Sequence, residues 1–535
     1  MFSYFRKHPV SNLMTGSVPH HGVCCGRESG SQFGRDQHSY TIRLTSLDRT
    51  TSTTNSVGTL NDTGYRRFSV TTVSPQRSTD IELMAQLLRR AGFGATRDQI
   101  DGYLKQGYEA TVQELLNPVH REHEDQDLMD RYFVASVEAR TANHADPQWA
   151  WRLATNPNPL EEKIALFWHG LMAVGGVKLD HGMEMLAEID LFRRFGLGRF
   201  EDLLLEISRN PGMMYWLDNQ NSHIGAPNEN YGRELLELFS MGIDEQGEGA
   251  YSEEDVKAAA RAFTGWASAV TPPPFFLGPF PMEFRFDSDD HDDSEKTFLG
   301  QTGNWDGDDI VRIICEQRAT ARFVAMRLYD FFVSDTPNEK EIEGLADVFE
   351  ENDGEIRTVL SAIFNSDHFK SAEVRYRKMK SPSDLVFGTT RLVDRFDVPE
   401  LDSGMLANNT MFMGQHLLNP PSVEGWHEGE EWVDSGALIE RINFASSEIS
   451  RVDGRGVQRM LTRVRDSGNE LDGGEFVEAC LDAMGAIELS PRTRSILVDH
   501  ADSYGIPWEA DASDSTDRTI EMFQLIVSTP DYQYC

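Results

Sequence analysis

The string most able to do chemistry is Asn228-Glu229-Asn230-Tyr231-Gly232-Arg233-Glu234-Leu235-Leu236-Glu237-Leu238-Phe239. On an α-helix, Asn230, Arg233, Glu234 and Glu237 stand at i, i+3, i+4 and i+7 and share one face. Leu235, Leu236, Leu238 and Phe239 widen the apolar arc, so much of the helix must be buried. An arginine among buried carboxylates reads first as a paired internal network. Facing a cleft, the same residues have chemical roles: Glu229 or Glu234 as base or metal ligand, Arg233 holding an anion or orienting a carboxylate. Glu237 extends the set, and Asn228 and Asn230 are candidate ligand-binding amides.

Two histidine segments add candidates. His169 closes the apolar run Lys163-Ile164-Ala165-Leu166-Phe167-Trp168, where a histidine near a helix C-terminus also serves the helix dipole. His291 sits in Asp287-Ser288-Asp289-Asp290-His291-Asp292-Asp293. Oxygen-rich loops bind hard cations, so His169, His291 and Asp292 are the candidate ligands of a divalent metal. The acidic loop lacks EF-hand spacing, and a solvated loop is the plainer reading. Trp266 after Gly265, and Trp426 after Asn419-Pro420-Pro421-Ser422-Val423-Glu424-Gly425, are core anchors or pocket walls; Trp426 and Trp432 together suit a lid more than a carbohydrate platform.

Several signatures are absent: HExxH, GxSxG, the phosphate-binding GxxxxGK[ST] loop and a glycine-rich dinucleotide turn. Five cysteines occur without a CxxC spacing, which argues against a zinc ribbon or disulfide framework. Cys315, in an apolar stretch, reads as a buried structural thiol.

The elements that carry these residues are mainly helical. Apolar spacing predicts helices over 161–170, 199–210, 231–242, 252–264, 319–333 and 341–350, joined by short Pro- or Gly-marked connectors. Ser252 with Asp255 predicts a capping box. Strand alternation is confined to Met282–Phe286, in an irregular or β insertion near 267–304. The fold class expected is a large, mainly α multi-helix domain. Its expected parts are a disordered Ser/Thr-rich tail over 1–79, a helical core over 80–450, and a packed C-terminal helical subdomain over 451–535. Residues 1–80 hold 24 Ser or Thr, nine basic and five acidic residues, and lack hydrophobic periodicity.

The whole chain of 535 residues carries a net charge of −37. That argues against a nucleic-acid partner and against anionic membrane surfaces. No apolar run reaches 18 residues, so no transmembrane segment is expected. The absence of a clear targeting signal points to the cytoplasm.

In order along the chain stand Leu88-Arg89-Arg90-Ala91-Gly92-Phe93-Gly94, then Glu162-Lys163 through Trp168-His169-Gly170, then Asn228–Leu238. Ala260-Arg261-Ala262-Phe263-Thr264-Gly265-Trp266, His291-Asp292 with Lys296, Lys380-Ser381-Pro382 and Glu424-Gly425-Trp426 follow. Together they resemble the bacterial family known as domain of unknown function 1800, from about residue 80 to the C-terminus. Gly232 departs from the alanine more usual in that family. The resemblance implies no established activity. It implies an exported or envelope role and a sulfatase-like partner protein.

The function expected is therefore a helical scaffold or ligand-binding protein with a polar central cleft. One alternative is a metal-assisted hydrolase built on His169, Glu229, Glu234, His291 and Asp292. A second is a structural partner of an exported sulfatase-like protein.

Overall fold

The computed structural model describes residues 75–118, 131, 145–243, 249–270, 282–398, 400 and 402–535, all within one contact unit. Up to residue 74 the expected tail lies outside the described residues, and the first helix, Pro75–Arg90, starts earlier than Asp80. Among the described residues stand 23 α-helices and three two-stranded antiparallel ladders, so the molecule is mainly α.

The predicted helices are present with shifted ends. Five helices of the described residues begin in reciprocal capping boxes, the predicted Ser252 with Asp255 among them. Each satisfies two backbone donors that the first turn would otherwise leave free, and losing such a cap typically costs about 1 kcal/mol. Within the insertion, Met282–Phe286 pairs with Trp266–Val270 in a hairpin, and Lys296–Phe298 pairs with Gln301–Gly303.

One helix departs from its expected form. The stripe is α-helical only over Glu229–Glu234 and continues over Leu235–Ser240 as a π-helix. The wider turn displaces Glu237 from the face that uniform α-spacing gives it. Gly232 lies against the Glu253–Ala262 helix, where a β-carbon would come within 3.2 Å of the Val256 carbonyl and 3.3 Å of Ala259 Cβ.

The centre of the fold is the Pro159–Leu171 helix, buried on nearly every side. Its Trp168 stacks on Phe200, and its Phe167 packs edge-on or tilted against Phe331 and Phe332. A helix enclosed all round forces its polar residues to find internal partners. Glu162 accepts from Arg193 at 2.9 and 2.8 Å, from Asn156 at 2.8 Å and from Trp149 at 3.1 Å. Lys163 pairs with Asp384. The third is His169.

Candidate functional site

His169 is sealed from solvent, and so is its partner Glu188 on the Gly182–Phe195 helix. His169 Nδ1 lies 3.3 Å from Glu188 Oε1. Trp149 and Trp426 meet the imidazole edge-on, with ring centroids 5.4 and 5.3 Å away. The other atoms of the pair, His169 Nε2 and Glu188 Oε2, are buried with no hydrogen-bond partner. Burial pushes the Glu188 carboxyl up, against the pull of His169. Unsatisfied buried atoms are uncommon, because each carries a desolvation penalty of about 1–3 kcal/mol. Two facing one buried pair mark this spot.

A second pair lies close by. His416 Nε2 is 3.1 Å from Asp146 Oδ2, and Asn419 holds its Nδ1 at 3.2 Å. Burial raises the Asp146 carboxyl, while His416 and the more distant His169 lower it. Trp426 is fixed over His169 by its indole N–H, which donates to the His416 carbonyl at 3.1 Å. The turn that carries it admits only glycine at 425. There φ is +89°, and a β-carbon would stand 1.9 Å from the Gly170 carbonyl oxygen.

Glu424 connects this turn to the carboxylate stripe. Glu234 is half-buried, and its carboxyl is held up by burial first, then by Glu237 and Glu424. Arg233 pulls the other way but is engaged elsewhere, gripping Glu253 through two 2.7 Å hydrogen bonds, with Glu229 at 3.7 Å. Burial and Glu237 likewise push the Tyr251 phenol up to about 12. The carboxylates therefore outnumber the cations available to them. Asn228 and Asn230 are structural here: Asn228 caps the helix, and both side-chain amides donate to the carbonyls of Asp218 and Leu217.

Glu428 of the 421–432 loop acts electrostatically on Asp330, on the Arg318–Phe332 helix. Burial raises that carboxyl to about 6; Arg327 and Lys378 oppose the shift, and Glu428 and Asp335 add to it. A carboxyl with a raised native pKa loses its share of stability as pH climbs through about 6. Asp330→Asn is expected to be more stable than the parent at pH 8 by about 1–2 kcal/mol, after discounting for partial exposure. The two should converge below about pH 4. Urea titrations at both pH values check this.

The other candidates lie apart. Trp266 is buried between Phe263 and Phe284 with Arg209 over its ring, a core anchor for the hairpin. His291 Nδ1 lies 2.9 Å from the Thr264 carbonyl. Asp292 is 2.7 Å from Arg261; burial would raise its carboxyl, but Arg261 and Ser294 hold it well below the usual carboxylate range. These contacts lock the 287–296 loop onto the helix that ends at Ala262. They share no partner with His169, and Glu229 is exposed on the stripe. Among the described residues no group of three or more His, Cys, Asp or Glu is placed to hold a metal ion. Trp432 is buried in the core, separate in role from Trp426. Burial pushes the Cys315 thiol up, which suppresses thiolate chemistry.

The sequence reading missed Glu188, Asp146 and His416. Glu188 carried a signal: it stands three residues after Met185 and four before Phe192, on the apolar face of its helix, where a carboxylate needs a partner.

A family model described as "Protein of unknown function (DUF1800)" matches residues 86–534. No curated protein and no solved structure matches the chain.

Proposed function

The chain belongs to the DUF1800 family, and for this member we propose a ligand-binding function in which the carboxylates around Glu234, with Trp426 in the Glu424 turn, take a small organic cation. The observation that carries this reading is the imbalance of charge around Glu234. Glu237 and Glu424 crowd a half-buried carboxyl whose nearest cation, Arg233, is already held by Glu253. An ammonium or guanidinium entering there relieves like-charge repulsion and favours the charged form of Glu234. Trp426, only partly covered, offers an indole surface on which a cation is attracted by the ring quadrupole. The Glu424–Trp426 turn leads from those carboxylates to the buried His169, on which the indole packs.

The test is thermal denaturation against a panel of alkylammonium and alkylguanidinium ions beside carboxylates of matched size. A ligand at about a hundred times its Kd should raise the melting temperature by about 3 °C. Glu234→Gln should remove the shift. A panel in which carboxylates stabilise and cations do not would defeat the proposal.

A further inference from the structure

Two of the sequence's distinctive strings have no part in the proposed cation site: the Leu88–Gly94 segment, with Arg89, and Lys380-Ser381-Pro382. The fold places both on the wall of one cavity of about 60 Å³, lined by Arg89, Phe93, Lys380, Asp384, Thr389 and Tyr532 among others. One water needs roughly 10–15 Å³ on this measure. The space therefore admits several waters or one small polyatomic ion.

The charges on its wall do not balance. Lys380 Nζ donates to the Tyr532 carbonyl at 2.8 Å and lies 3.8 Å from the centroid of the Tyr532 ring. An ammonium has three donors, and no other hydrogen bond from this one occurs among the described residues. Arg89 makes neither a hydrogen bond nor an ion pair with them. Its charged group rests 4.9 Å over the Tyr376 ring, and its Nε is buried without a partner. Behind Lys380, the fully buried Arg441 donates to the Lys380 carbonyl at 2.8 Å, and its Nη1 is unpartnered. Asp384 is the carboxylate in the lining, but it is bound to Lys163 and to the Ser381 cap. Arg89 and Lys380 are partly buried and Arg441 wholly so, and cations brought together out of water, short of acceptors, are costly unless something neutralises them.

We propose that this cavity is a binding site for a small oxyanion, held by Arg89 and Lys380. Arg89 supplies a planar fork suited to two oxygens, and Lys380 a point charge with free donors. Asp384, engaged by Lys163, leaves the site net positive.

Binding is coupled to a proton. Burial brings the Lys380 amine down to about 7; Arg89 and Arg441 add to the fall, while Cys535 and Asp384 oppose it. The Tyr532 phenol is pushed up by burial and stays neutral. A bound anion favours the charged amine. Binding therefore takes up a proton, and it weakens as pH rises through about 7.

The experiment is calorimetric titration of the full chain with sodium sulfate, which does not itself titrate in this range, with sodium acetate and sodium chloride as parallel arms. One saturable site for sulfate or acetate is expected, the stronger of the two telling tetrahedral from planar oxyanions. Lys380→Met and Arg89→Met should each weaken it about tenfold to a hundredfold. In anion-free buffer Lys380→Met should melt no lower than the parent, because it removes a charge that its surroundings disfavour. Affinity should fall between pH 6 and pH 8.5. No oxyanion binding at tens of millimolar, a response to chloride alone, affinity in both variants equal to the parent's, or affinity that does not change with pH would each overturn the proposal.

Discussion

Glu162→Ala is expected to lower the stability of the protein by about 3–5 kcal/mol, the usual consequence of leaving a buried charge without its partner. Glu162 is fully buried and accepts four hydrogen bonds, two of them from Arg193. Burial alone would raise its carboxyl, but Arg193 outweighs that and holds it below the ordinary value. Truncation strands the Arg193 guanidinium with only the half-exposed Asp190 beside it. It also removes the acceptor of the Trp149 indole, which packs on His169, so the loss reaches the site. The sign of the pH dependence follows from the depressed carboxyl. Its contribution is present above the unfolded value near 4.3 and disappears as pH falls through the lower native value. The gap between variant and parent should therefore close in acid. Denaturant midpoints at pH 7 and pH 3 measure it, and a gap under about 1 kcal/mol at neutral pH would contradict the pairing.

The second large effect is expected from Gly425→Ala. The positive φ disfavours a side chain by about 1–2 kcal/mol, and the added carbon meets the Gly170 carbonyl oxygen, a backbone atom on the central helix that cannot move aside. The loop should lift instead, at a total cost of about 1–3 kcal/mol. Trp426 then leaves His169. With 5-fluorotryptophan incorporated, the Trp426 resonance, assigned from Trp426→Phe, should move to its solvent-exposed position. His169 should become open to acylation of its imidazole. An unmoved resonance would mean that the turn does not hold the indole in place.

Much of this architecture was legible in the residues. Apolar spacing located the helices, Ser252 and Asp255 announced a capping box, and alternation over Met282–Phe286 gave a hairpin strand. The π-helical turn over Leu235–Ser240 was not legible, because its apolar residues satisfy α-spacing as well; the choice between the two is made by tertiary packing and by Ser240, whose hydroxyl bonds the Leu235 carbonyl. The same limit applied to the site. His169 and Trp426 stood out by type, yet their partners Glu188, Asp146 and His416 come from distant segments, and nothing local ties them together. Conversely, Asp292 and His291 looked like metal ligands by composition, while the fold uses them to fasten a loop to Arg261 and Thr264. Composition reports which chemistry a segment can do. Only the packing decides which neighbour it meets.

The cation site we propose is formed by the carboxylates around Glu234 and the Trp426 turn. Its most direct measurement is a calorimetric titration of the full chain with the tightest alkylguanidinium or alkylammonium of the panel, repeated on Glu234→Gln and Trp426→Ala. The account predicts one site per chain, with affinity reduced about tenfold or more in each variant. Equal affinity in the parent and both variants, or no saturable binding of any cation, would contradict it.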